Sequence, residues 1–328
     1  MHTSPFSNAP SNTSAHYFYI VINQGSRFAV PFFFIISGYF FAKKMQGGGL
    51  IVPVSLAIIK RLFVIWSFWS LIYLLPFNLS WIFRFGFENV INYVTIPKLT
   101  YFASNPLRFI FDGKNHLWYL VSLNLAVIIT ALYLRYWPSR SLDPLIIFAI
   151  ILYSFGLCTK AYSATSIGIH FDFNTRNGPF FSLIFFVTGF VLSLRQISPK
   201  YLTYGIAIML SGYALHFAEI YYLYSVYHVS PVSHDYVLGT YFTGLGAALI
   251  ALSNHSLLDI RYASKFGQYT LGVYAIHIFF LVNIKQISRN LSGTLGSWGL
   301  GVVLMVLVLS FISTIAMSKF KPLKKVIV

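Results

Sequence analysis

Charge is scarce in this sequence. Only 9% of its 328 residues are Asp, Glu, Lys or Arg, against about 25% in an ordinary soluble domain. Carboxylates are scarcer still: seven Asp and Glu stand against 23 Lys and Arg, for a formal net charge of +16. The single cysteine, Cys158, excludes a disulfide framework, a Cys-built zinc site and an iron–sulfur cluster. No activating motif surrounds it, which makes it a poor acyl-carrying thiol. The chain also lacks a G-x-G-x-x-G or P-loop stretch, a nucleic-acid-binding module, an internal repeat and any low-complexity segment. Apolar residues are what it has in abundance, 57% of the total with a mean hydropathy of +0.71. That balance excludes a soluble globular enzyme and a disordered chain, and it places the protein in a bilayer.

About 20 apolar residues cross the hydrocarbon core as a helix. Nine runs qualify as candidates, at 28–42, 62–77, 117–134, 144–159, 178–194, 201–218, 237–253, 269–284 and 297–317. The expected fold is therefore an all-α integral-membrane, multi-pass helical bundle. Its nine spans occupy 28–317 of a single domain over 1–328. Basic residues gather in the short connections at 43–61, 135–143, 195–200 and 254–268 and in the tail at 318–328. The positive-inside rule makes those segments cytoplasmic. Residues 1–27 are polar and rich in Ser, Asn and Pro, and they read as an extracytoplasmic loop without a signal peptide. An outward N-terminus with no preceding helix is awkward for insertion, so the chain is expected to be N-terminally truncated, with one helix missing from ten.

Four stretches carry a resemblance. They are SRFAVPFFFIISGYFFAKK over Ser26–Lys44, NHLWYL over Asn115–Leu120, TRNGPFFSLIFFVTG over Thr175–Gly189, and FGQYTLGVYAIHIFF over Phe266–Phe280. In this order they resemble the membrane acyltransferase-3 family, and most closely its surface-polysaccharide O-acetyltransferases of the enterobacterial common antigen type. The resemblance implies ten helices in a bacterial inner membrane. It also implies an acetyl group taken from acetyl-CoA and placed on a sugar hydroxyl of a cell-surface polysaccharide or its precursor. Acetyl-CoA would be the donor, with no permanently bound cofactor, no metal and no nucleic-acid partner. The family's first helix carries an Arg, ten residues, then a His. His2 lines up with that His, while the Arg and most of the helix have no counterpart here.

The resemblance makes His2 the general base, with an imidazole suited to neutral pH; otherwise it is a chance terminal His. Arg27 either stabilises the oxyanion of the tetrahedral intermediate or snorkels to the interface. His116 and Trp118 either line an acceptor tunnel and stack on a sugar, or anchor the span at the interface. Arg176 either binds substrate or pairs with Asp172, and Asn177 can fix a sugar hydroxyl or a carbonyl. Glu219 lies three residues after His216, so the two share a helix face. It could polarise a His or bind the acceptor, or it could face water. His277, with Tyr274 at i−3, either lines the tunnel or is a structural His. Lys43, Lys44 and Arg61 fit the phosphates of coenzyme A, with cytoplasmic topology as the bland reading. Ser37-Gly38-Tyr39 reads as a helix-packing feature. The rival functional readings are a transporter or flippase, which the absence of inverted repeats and broken helix pairs disfavours, and an inactive acyltransferase remnant.

Overall fold

The structure, a computed structural model, describes residues 10, 13–111, 116–137, 141–253, 256, 265–292 and 299–327. Among them every regular element is helical. In chain order these are α1 (Ser14–Gly25), α2 (Ala29–Gln46), α3 (Ile51–Leu74), α4 (Leu79–Phe85), α5 (Phe87–Val90), α6 (Ile96–Ser104), α7 (Pro106–Phe111) and α8 (Trp118–Tyr136). There follow α9 (Asp143–Gly156), α10 (Pro179–Ser193), α11 (Lys200–Tyr227), α12 (Leu238–Leu252), α13 (Thr270–Ser292), α14 (Gly299–Ser318) and α15 (Lys321–Lys324). Among the described residues seven helical segments are long and apolar enough to cross a membrane. Two shorter apolar helices, Pro179–Ser193 and Leu238–Leu252, fall on the other two expected runs. An all-α, multi-pass membrane protein is the result.

The chain divides into two compact units, one of Met1–Ile22, Arg61–Leu117 and Ile260–Val328, the other of Asn23–Lys60 and Trp118–Asp259. In the second unit α10 is the centre, packed on α2, α8 and α9, while α12 packs on α11 and α2. Ten of the 15 residues of α10 are buried, among them Phe181, Leu183, Phe185 and Phe186. A helix apolar on all sides is one enclosed by others. At 15 residues it spans about 22 Å, less than a bilayer core of about 30 Å, and enclosure by neighbouring helices removes the need to reach both interfaces. Glycines set the close approach. A Cβ on Gly38 would sit 1.9 Å from the Phe186 carbonyl oxygen, and one on Gly189 would sit 1.8 Å from that of Ile35. The small-residue packing expected at Ser37-Gly38-Tyr39 is thus the α2–α10 contact.

In the first unit α13 packs on α14, around Leu281, Val302 and Val306. Polar anchors tie the second half of α3 to α13 and to the segment after α15: Tyr73 Oη donates to the Ala275 carbonyl at 2.6 Å, and Trp69 Nε1 donates to that of Val326 at 2.9 Å.

One expectation is corrected by the backbone. Residues 14–25, read as part of a polar loop over 1–27, are helical, and the helical segment runs Ser14–Gln46 through a tight turn at Ser26–Phe28. The polarity that suggested a loop is turned inward. Asn23 and Gln24 are buried, and Gln24 Nε2 donates to the Pro231 carbonyl at 2.8 Å. Arg27 accordingly sits in a continuous helical segment rather than at a span's entrance.

Candidate functional site

The polar site of the second unit is assembled from helix ends. Arg27 precedes α2, Lys160 follows α9, Arg176 and Asn177 precede α10, and His234 and Asp235 lie in the connection from α11 to α12. At its centre is the Asp235 carboxylate. Its Oδ1 accepts from Arg176 Nη1 at 2.9 Å and from Arg27 Nη1 at 3.1 Å, and its Oδ2 faces Lys160 Nζ at 3.5 Å. Exposure of the cations is graded: 12% of the Arg27 side chain, 26% of Arg176 and 35% of Lys160. Arg27 Nη2 also donates to Asn23 Oδ1 at 3.1 Å, and Arg176 Nε to Asn177 Oδ1 at 3.3 Å. Burial alone would push the Asp235 carboxyl up. The Arg176, Arg27 and Lys160 cations more than offset that and hold it below the usual carboxylate range. His234, 4% exposed, is pushed below the ordinary imidazole value by burial and then by Arg27, against the pull of Asp235. It is a neutral ring beside charged neighbours, and its Nε2 is buried without a hydrogen-bond partner among the described residues.

Arg176 is held on its other side by aromatic stacking. Its guanidinium lies 4.9 Å from the Trp118 ring centroid, a cation–π contact. Trp118 is itself buried against Phe34 and Phe181. The ring expected to stack on a sugar therefore carries a guanidinium on its face and serves to orient Arg176. The expected alternative partner of Arg176, Asp172, pairs instead with His170 at 3.3 Å on the surface.

Glu219 and His216 do not partner each other. Tyr162 Oη donates to Glu219 Oε1, and the backbone N–H groups of Leu238 and Gly239 donate to its carboxylate at 3.3 and 2.7 Å. Glu219 thereby caps the N-terminus of α12, where four N–H groups lack helical partners and a negative charge is favoured. His216 is buried in a chain of bonds: Nδ1 lies 3.1 Å from Thr240 Oγ1, and Nε2 lies 3.2 Å from Gln24 Oε1. Gln24 uses its amide N–H on the Pro231 carbonyl, so its oxygen faces His216 and the ring carries its proton on Nε2. Both nitrogens are taken, which makes His216 a structural residue.

His116 and His277 meet in the first unit, with ring centroids 5.0 Å apart. His116 Nε2 lies 3.2 Å from the Ala275 carbonyl, and His277 Nδ1 donates to the Tyr274 carbonyl at 2.6 Å. Tyr274 Oη donates to the His116 carbonyl. The sequence-adjacent His116 and Trp118 belong to different units.

At the opposite ends of α2 and α10 a cleft of about 530 Å³ is lined by Lys43, Gln46, Ser193, Arg195 and their neighbours. Lys43 Nζ donates to Gln46 Oε1 at 3.1 Å, and Gln46 Nε2 donates to Ser193 Oγ at 3.2 Å. The 18 residues of α2 put about 27 Å between this cleft and the Asp235 cluster. Lys44 is exposed next to the cleft, whereas Arg61 is exposed on α3 in the other unit. His2 lies outside the described residues. Among those residues no three His, Cys, Asp or Glu side chains are grouped to hold a metal ion.

Sequence reasoning picked out Arg27 and Arg176 but missed Lys160, His234 and Asp235, which join them. The one available signal was that Asp235 is among only seven carboxylates and follows a His between two spans. No curated protein and no solved structure matches the chain. A family model, described as an acyltransferase domain, matches residues 1–317, nearly the whole membrane-spanning chain. By that match, the chain belongs to this acyltransferase family.

Proposed function

We propose that the chain is a bacterial inner-membrane O-acetyltransferase, moving acetyl from acetyl-CoA to a sugar hydroxyl of a cell-surface polysaccharide or its precursor. The observation that carries this reading is the cluster in which Asp235 holds Arg27 and Arg176, drawn from two of the motif-bearing segments, side by side in a partly buried site. Donors fixed in a water-poor pocket stabilise developing negative charge far better than they would in water. In the proposed step the sugar hydroxyl oxygen attacks the thioester carbonyl carbon, and a His base takes the hydroxyl proton. His2 is that base. The carbonyl oxygen becomes the oxyanion that Arg27 neutralises. Collapse breaks the carbon–sulfur bond, and coenzyme A leaves as a thiolate that recovers the proton from the imidazolium.

The basic cleft at the far end of α2 supports a donor site on the cytoplasmic side. Lys43 and Arg195 line it, and Lys44 stands beside it. These cations suit the phosphates of coenzyme A. In the second unit Asn177 is assigned to acceptor binding and Glu219 to holding the start of α12. The test is transfer of labelled acetyl from acetyl-CoA into glycan in membranes carrying the chain. Hydroxide-labile label above that of membranes without the chain supports an O-acetyl ester, and its absence contradicts one.

A further inference from the structure

Four helices of the second unit run between the same two levels. α2, α10 and α12 end, and α9 begins, at the basic connections that the positive-inside rule makes cytoplasmic. Their other ends carry the Asp235 cluster: Arg27 before α2, Lys160 after α9, Arg176 before α10 and Asp235 before α12. Their lengths therefore measure how far the cluster stands from the cytoplasmic face. α10 and α12 have 15 residues each, α2 has 18, and the helical segment that starts with α9 has 19. At about 1.5 Å per residue these span about 22–28 Å, less than the roughly 30 Å of a hydrocarbon core, and tilt only shortens the rise. The cluster thus sits about 2–8 Å beneath the far edge of the hydrocarbon, not above the membrane.

The connection from α9 to α10 suits that level. Its two ends, Lys160 and Arg176, both hold Asp235. Between them Ile167, Ile169 and Phe171 are 59, 44 and 43% exposed, and they alternate with Gly168, His170 and Asp172. His170 Nε2 lies 3.3 Å from Asp172 Oδ1, with both side chains almost fully exposed, so the alternate polar side chains share one edge. On the apolar edge, the Phe171 ring packs against Phe155 of α9 and Phe180 of α10, at the ends of those helices that carry the cluster. An apolar edge is unfavourable in water and a polar edge is unfavourable in lipid. At the headgroup level an amphipathic segment satisfies both.

We infer that the connection 162–178 is seated in the extracytoplasmic membrane interface, with Ile167, Ile169 and Phe171 in lipid and His170 and Asp172 in water, and that it forms the rim over which a lipid-anchored sugar reaches the Asp235 cluster. The acceptor class follows from the depth. A hydroxyl on a sugar joined directly to a bilayer lipid lies near the level of the cluster, whereas the far sugars of a long glycan stand in water beyond it. The acceptor class rests on the acyltransferase reading; the seating of the connection does not.

The seating is tested on the full chain in phosphatidylcholine nanodiscs. Cys158→Ser removes the native thiol, and Ile167→Cys, Ile169→Cys, His170→Cys or Asp172→Cys introduces one thiol at a time for the environment-sensitive fluorophore nitrobenzoxadiazole. Labels at 167 and 169 should emit to the blue of those at 170 and 172, lose fluorescence to a lipid bearing a nitroxide near its headgroup, and resist aqueous iodide. Labels at 170 and 172 should show the reverse. Equal behaviour at all four positions, or iodide quenching at 167 and 169, would overturn the inference. The acceptor class is tested by a pulse of labelled acetyl-CoA given to membranes carrying the chain. Short glycolipid, extractable into organic solvent, is then separated from water-soluble glycan. Label should enter the glycolipid first. Entry into the water-soluble glycan from the outset would overturn the inference and leave the acyltransferase reading intact. Label in neither fraction removes the acyltransferase reading and the acceptor class with it, and the quenching pattern alone then decides the seating.

Discussion

Replacing Asp235 by Asn preserves the side chain's shape and removes its charge. The carboxylate bridges Arg27 and Arg176 through one oxygen and faces Lys160 through the other. Removing one partner of a buried ion pair costs about 3–5 kcal/mol, because the surviving charge is left uncompensated. Arg27, 12% exposed, belongs to that class. Lys160, 35% exposed, belongs with surface pairs worth about 0–1 kcal/mol. We therefore expect Asp235→Asn to lose about 3 kcal/mol, roughly a hundredfold in the unfolding equilibrium, and Lys160→Gln to lose under about 1 kcal/mol. Denaturant unfolding in detergent micelles measures both. Adding Arg27→Gln to Asp235→Asn should cost less than the sum of the two single changes, since both act on one pair. The pH dependence has a defined sign. The folded carboxyl titrates below its unfolded value of about 3.9, so its stabilisation is complete above that pH and is lost as the pH falls through the folded value. The curves of wild type and Asp235→Asn should converge below about pH 4. Asp235→Asn within about 0.5 kcal/mol of wild type, or strict additivity with Arg27→Gln, would refute the reasoning.

Further outcomes follow from neighbouring geometry. Burial and Arg27 hold His234 below its ordinary value, so the unfolded chain takes up a proton below about pH 6.5 that the folded ring resists. Stability should decline as the pH falls from 6.5, and His234→Gln should flatten that slope in the same titration. Glu219→Gln should destabilise by about 1–3 kcal/mol through weakened bonds to the start of α12, read as a lowered Tm. Gly189→Ala should overpack the α2–α10 contact, costing about 1–3 kcal/mol, with reduced yield of folded protein. Lys43→Gln should mainly raise the KM for acetyl-CoA, whereas His2→Ala should lower kcat by about 10²–10⁴-fold.

Hydrophobic runs were legible because a bilayer demands continuous apolar length, and each of the nine expected runs overlaps a described helix, although α3 begins at Ile51 rather than at 62. The start of the first was not legible. Asn23 and Gln24 make a helix look like a loop when their buried bonds to Pro231 and Arg27 are invisible. The candidate site was half legible for a similar reason. Arg27 and Arg176 stand out as charges beside apolar runs, but their shared partner lies 208 and 59 residues away in a connection with no periodicity of its own. Glu219 and His216 show the limit of face-sharing arguments. Spacing puts them on one side of α11, yet the N–H groups of α12 and the Gln24 amide compete for them and win.

If the chain transfers acetyl through the Asp235-centred site, as we propose, labelled transfer to glycan by wild type and Arg27→Gln reports it. With acetyl-CoA saturating, wild type should transfer label, and folded Arg27→Gln should lose about 10²–10³-fold in kcat, as removal of an oxyanion donor does. Wild-type membranes with no transfer above background, or an Arg27→Gln protein with unchanged kcat, would contradict the account.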